Sequence, residues 1–90
     1  LPIDTVYSYE PVPDALTADQ ARHVLGAQGQ IWTEYVPNSR QAEYMVFPRL
    51  CALAEVVWTR SDRKNFADFR ARLETHLKRL AILDVNYRRP

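Results

Sequence analysis

Few side chains in this 90-residue sequence are equipped for chemistry. His23 and His76 stand far apart, with no second ligand at metal-binding spacing around either, so no metal site is expected. Cys51 is the single cysteine, which rules out an internal disulfide, and its apolar neighbours make it read as a small buried hydrophobe. Trp32 and Glu34 are the more suggestive pair. An indole offers a broad apolar face to C–H groups, while a carboxylate offers only acceptors, which suits hydroxyls. One residue separates them, so in a regular strand both point to the same side and can meet one ligand. Taken alone, the pair fits a core tryptophan and an exposed acid near a helix start better than it fits a binding site.

The elements that must position this pair follow from punctuation and periodicity. Residues 1–16 carry Pro2, Pro11 and Pro13 among Tyr7 and Tyr9; each X-Pro step disfavours helix at the preceding residue, so the stretch reads as a long extended loop. Thr17 and Gln20 have capping-box spacing and start a short helix, giving a loop-and-helix segment over residues 1–23. Residues 24–36 mix Gly26 and Gly29 with β-branched and aromatic residues. They predict a short buried strand around residues 24–28, followed by an irregular loop that presents side chains. Asn38 with Gln41 is a second cap pair, opening a helix over residues 38–59. Its residues Leu50, Leu53, Ala54, Val57 and Trp58 recur on one helical face, and Pro48 is expected to kink or break it. A terminal helix over residues 65–83 follows from Phe66, Phe69, Leu73, Leu77 and Leu80 at intervals of three and four. Asp84 then falls where a left-handed residue closes a helix. The fold class is mainly α, with one short strand and a long N-terminal loop.

Composition narrows the functional classes. A hydrophobic content of 47% fits a globular chain. No apolar run approaches the roughly 20 residues of a membrane span. The net charge of +1, with acids interspersed among the C-terminal basic residues and no nucleic-acid module signature, argues against nucleic-acid binding. Leu1-Pro2-Ile3-Asp4 has no initiator methionine and reads as the middle of an extended segment, so a piece of a longer chain is expected.

Two motifs at a fixed distance carry a specific resemblance. Gly26-Ala27-Gln28-Gly29-Gln30-Ile31-Trp32-Thr33-Glu34-Tyr35-Val36 resembles the last barrel strand, and the loop after it, of family 20 glycoside hydrolases, the β-N-acetylhexosaminidases. Phe47-Pro48-Arg49-Leu50, continuing to Ala54-Glu55 and Trp58, resembles the family's eighth barrel helix. The resemblance covers nearly the whole chain, is nearest to bacterial members and includes the loop from Val6 to Pro13.

The resemblance implies that residues 1–90 are the C-terminal piece of a catalytic (β/α)₈ TIM barrel: last strand, last helix and terminal helix. The parent enzyme would remove terminal N-acetylglucosamine or N-acetylgalactosamine from β-linked glycans without a cofactor. Barrel sites form at the C-terminal ends of the strands. There the resemblance makes Trp32 part of the aromatic wall around the terminal sugar, and Glu34 an acceptor for its hydroxyls. The family uses substrate-assisted retention. Its adjacent Asp-Glu pair belongs to an earlier strand, and this chain has no Asp-Glu dipeptide, so no catalytic residue is assigned and the piece is expected to be inactive alone. Arg49 and Glu55 lie six residues apart, about 240° around a helix, and their partners are expected on absent barrel elements. Without the rest of the barrel, exposed edges and apolar patches predict self-association. The competing class is a small helical protein-interaction module whose reading frame would begin near Leu1. Location stays open; the periplasm or secretion fits a bacterial parent.

Overall fold

The apolar positions of the last helix organise the molecule. The structure, a computed structural model, describes residues 1–90 apart from the side chain of Tyr35. Helix α5, Phe66–Ile82, buries Phe69, Leu73, Leu77 and Leu80 along one face, at the spacing that the sequence predicts. Against this face pack α1, Ile3–Tyr7, and α4, Arg49–Trp58, which contribute Tyr7, Ala52 and Val56 to the same core. Two further helices complete the set: α2, Ala18–Ala21, and α3, Ser39–Val46. Two single 3₁₀ turns lie at Thr33–Tyr35 and Ser61–Arg63.

Capping residues fix where the helices begin. Thr17 Oγ1 accepts from the Gln20 N–H at 3.2 Å, and Gln20 Oε1 accepts from the Thr17 N–H at 3.0 Å, the complete box expected for α2. Asn38 accepts from the Gln41 N–H at 2.9 Å to start α3, and Asn65 from the Asp68 N–H at 3.0 Å to start α5. At the far end of α5, Asp84 takes φ 60°, and the Val85 N–H reaches back to the Leu80 carbonyl at 2.9 Å. With the Asp84 N–H on the Ala81 carbonyl, this is a Schellman closure with aspartate in the position that favours glycine. The reversal sends the tail back along α3. There the Asn86 amide donates to the Arg40 carbonyl at 2.9 Å, and the Arg88 N–H to the Phe47 carbonyl at 2.9 Å.

Two sequence expectations change, and a third resolves into one of its two alternatives. The first stretch is not loop throughout, because residues 3–7 form α1. Pro2 precedes the helix, where a missing N–H costs nothing, and the other prolines restrict only Glu10 and Val12. Ile3, Val6 and Tyr7, spaced for one face, then turn toward the core. The region around Pro48 is a full break: α3 ends at Val46, Phe47 is extended, and α4 begins at Arg49. Proline removes the N–H that would continue the ladder and forces its predecessor out of the helical region. The Phe47–Pro48 peptide is cis.

The strand expected around residues 24–28 is absent; among the described residues there is no strand. A strand exists through its ladder, and no second extended segment of this chain lies alongside to supply one. Residues 25–32 make no backbone–backbone hydrogen bond among those described. The segment instead lies across α4, antiparallel to it. Leu25 and Gly26 border a cleft with Val56 and Val57, and Gly29 lies so close to Leu53 that a methyl group there would sit 2.7 Å from its Cδ2.

Helix α4 holds a further surprise. The stripe formed by Leu50, Ala54, Val57 and Trp58 faces outward, with Trp58 90% exposed, while Ala52 and Val56 on the opposite side enter the core. The helix is apolar nearly all round, a pattern that belongs to helices covered on both sides.

Candidate functional site

Trp32 and Glu34 sit at the end of the extended segment, just before α3. Trp32 is the extended residue that precedes the Thr33–Tyr35 turn, and the Val36 N–H closes that turn on the Thr33 carbonyl at 3.0 Å. Pro37 and the Asn38 cap then lead directly into α3. Both residues are anchored on either side yet open to solvent: the indole is 70% exposed and Glu34 is exposed as well. The strand alternation that would align them does not operate, because Glu34 lies within a 3₁₀ turn. Neither borders the clefts described for this chain. The arrangement presents an aromatic face and a carboxylate from one short loop, without walls on the other sides.

A second constellation escaped the sequence reading. Glu55, the one acid of α4, is turned inward, with its side chain 16% exposed. Arg72 of α5 grips it with both terminal nitrogens, Nη2 to Oε2 at 2.7 Å. The Tyr7 hydroxyl donates to Oε2 at 3.0 Å and accepts from the Asn65 N–H at 3.0 Å. Asn65 in turn caps α5 at Asp68, and Asp68 Oδ2 accepts from Arg72 Nε at 2.9 Å. Tyr7, Asn65, Asp68, Arg72 and Glu55 thus form a closed ring of hydrogen bonds that joins α1, α4 and α5. Lys64 seals its edge, with Nζ donating to the Tyr7 carbonyl at 3.1 Å and the Tyr9 carbonyl at 3.0 Å. The Tyr7 ring stacks on Phe69 with centroids 4.8 Å apart.

The charge states follow from these contacts. The Arg72 guanidinium, and to a smaller extent the Tyr7 hydroxyl, hold the Glu55 carboxyl below its usual range against the opposing effect of burial. The same carboxylate, with Asp68, pushes the Arg72 guanidinium up. Burial is the main cause that raises the Tyr7 phenol. A carboxylate so fully engaged and so firmly ionised is a poor proton donor or acceptor near neutral pH, and its work here is structural. Burial also pushes the Cys51 thiol up, which fits an inert packing role.

These contacts overturn the expectation that Glu55 lacks a partner within the chain. Glu55 and Arg49 are not joined, but Glu55 is satisfied by Arg72 and Tyr7. The signal was present in the sequence: a lone acid inside α4, apolar apart from Arg49 at its start, requires a cation from elsewhere. Among the described residues no group of three His, Cys, Asp or Glu side chains could hold a metal ion, and no helix is long and apolar enough to cross a membrane.

Comparison with known proteins supplies the context that the geometry lacks. A family model described as glycosyl hydrolase family 20, catalytic domain, matches residues 1–61. A beta-hexosaminidase of Porphyromonas gingivalis is 45% identical over 89 residues, covering 99% of this chain and 12% of its own length. The N,N'-diacetylchitobiase of Vibrio harveyi is 38% identical over 74 residues, covering 78% of this chain and 8% of its own. The crystal structure of a GH20 exo beta-N-acetylglucosaminidase from Vibrio harveyi in complex with N-acetylglucosamine superimposes with a TM-score of 0.89 at 38% identity, over 100% of this chain and 14% of that one. The chain therefore spans about an eighth of the relatives it matches most fully.

Proposed function

This chain belongs to glycosyl hydrolase family 20, and from that premise we propose that the whole protein hydrolyses terminal β-linked N-acetylglucosamine or N-acetylgalactosamine residues of glycans. The observation that carries the reading is the family match itself, because residues 1–61 include Trp32 and Glu34. In this reading the 90 residues are the last part of a catalytic (β/α)₈ barrel, and Trp32 and Glu34 line the terminal-sugar subsite. The indole packs on sugar C–H groups beside the acetamido substituent, and the carboxylate accepts from hydroxyls on the far side of the ring. Their exposure supports this, since a ligand and further protein walls have room to cover them. Bond cleavage by substrate-assisted retention falls to residues outside this segment. These two bind and orient.

The outward stripe of α4 and the unpaired segment 25–32 are covered by the rest of the catalytic domain in the whole protein. Alone, the chain hydrolyses nothing and self-associates through those surfaces.

The test uses the Porphyromonas gingivalis relative, with alanine at the position matching Trp32 and, separately, glutamine at that matching Glu34. Each should lower kcat/KM on a β-N-acetylglucosaminide by about 10- to 100-fold, the scale of one lost charge-assisted hydrogen bond or stacked face. Unchanged kcat/KM in both would remove them from the subsite. Titration of the 90-residue chain itself with N-acetylglucosamine should show no saturable binding.

A further inference from the structure

The first turn of α3 follows directly on the Trp32–Glu34 loop, yet little apolar contact holds it. Helix α3 has no buried residue, and its first three residues, Ser39, Arg40 and Gln41, are exposed. What grips this turn is the segment after α5. Arg40 Nη1 donates to the Asp84 carbonyl at 2.9 Å and lies 3.6 Å from the Asp84 carboxylate. In return, the Asn86 side-chain amide donates to the Arg40 carbonyl at 2.9 Å. The Asn86 backbone N–H donates to Glu43 Oε2 at 3.1 Å, one turn further along α3. The gripping segment is itself fixed on the core: Val85 and Tyr87 pack against it, and the Val85 N–H is tied to the Leu80 carbonyl.

We infer that Arg40 and Asn86 are positioning residues for sugar binding, through which the core sets where the Trp32–Glu34 loop stands. The inference rests on the sugar-binding reading of that loop. The link from loop to helix is short and stiff. The Val36 N–H closes the Thr33–Tyr35 turn at 3.0 Å, Pro37 fixes its own φ, and Asn38 caps α3 through the Gln41 N–H at 2.9 Å. A shift of the first turn of α3 therefore carries Glu34 and Trp32 with it. Apolar packing has no direction and lets a helix slide or roll, whereas reciprocal hydrogen bonds fix both its register and its rotation. The helix does not need this clip in order to form, because its cap and its own ladder remain without it. Exposed ion pairs such as Arg40–Asp84 also add little stability. Geometry is what the clip supplies, and a misplacement of about 1 Å can cost an enzyme about 100-fold in rate.

The test measures kcat and KM of the whole protein on a β-N-acetylglucosaminide with Asn86→Ala and, separately, Arg40→Ala. Each should raise KM about tenfold and leave kcat within about twofold, because the loosened sugar contacts serve the ground state and the transition state alike. Arg40→Lys, which keeps a donor for the Asp84 carbonyl, should recover most of the loss. A purely structural role would instead lower the active fraction, and hence the apparent kcat, at unchanged KM. If Asn86→Ala fails to fold, the exposed Arg40 carries the test. The decisive protein adds Asn86→Ala to Trp32→Ala with Glu34→Gln, where it should change kcat/KM no further. An equal effect in both backgrounds, a fall in kcat alone, or no effect from either substitution overturns the inference and leaves the subsite reading standing. If Trp32→Ala and Glu34→Gln themselves leave kcat/KM unchanged, the subsite reading falls and this inference with it.

Discussion

Tyr7 and Glu55, separated by 48 residues in sequence, share a hydrogen bond of 3.0 Å at the meeting point of three helices. Tyr7 is 4% exposed, and its hydroxyl both donates to the carboxylate and accepts from the Asn65 backbone. One side chain therefore fixes α1 against α4 and closes the first turn of α5. Tyr7→Phe keeps the stacking on Phe69 but leaves the Asn65 N–H without its acceptor, so a loss of about 1–2 kcal/mol is expected in denaturant unfolding. Tyr7→Ala removes the ring as well and should cost about 3–5 kcal/mol. Equal effects from the two substitutions would show that the hydroxyl, and not the ring, dominates.

The ring of hydrogen bonds also sets a pH dependence. Glu55 has its folded pKa below the ordinary glutamate value of about 4.3. The unfolded chain therefore binds a proton first as pH falls. The stabilisation is present in full above that ordinary value and is lost as pH drops through the lower, folded one. Tyr7 is the opposite case: its pKa is raised, mainly by burial, so its contribution is whole below about 10 and declines as pH rises further. Thermal melts across the acid limb should show a drop in the parent that is flattened in Glu55→Gln. An identical acid limb in both would assign the effect to other carboxylates.

Asp84 holds φ 60° at the end of α5, where a Cβ is unfavourable. Asp84→Gly relieves that conformation and gives up only an exposed contact to Arg40 at 3.6 Å. The unfolded chain gains freedom at the same time, so the net gain should be about 0.5 kcal/mol. Asp84→Val, β-branched in the same conformation, should destabilise instead. Chemical denaturation of the three proteins ranks them directly.

The outward stripe of α4 predicts how the isolated chain behaves. Leu50→Glu combined with Trp58→Glu should reduce self-association without harming the core, since both side chains point away from Ala52 and Val56. Sedimentation velocity over a range of concentrations measures this. A parent chain that stays monomeric at high concentration would defeat the self-association reading.

Several features were legible in the sequence because they are local. The capping pairs at Thr17, Asn38 and Asn65, the helix closure at Asp84 and the buried spacing of α5 each depend on residues within a few positions of one another. The family was legible for a different reason: a motif around Trp32 and another around Pro48 stand in fixed order, and the matching family model spans both. The tertiary structure decided what local pattern leaves open. Helix α4 carries two apolar faces, and periodicity alone selected the one that turns outward, since only docking on α1 and α5 determines which face is covered first. Residues 24–28 have strand-like composition, yet a ladder needs a neighbour that this chain does not supply. The partner of Glu55 lies 17 residues ahead on another helix, reached only after the chain folds back. Trp32 and Glu34 were visible as types from the start; the fold then set them on an open 3₁₀ corner, because no wall of this chain reaches their other side.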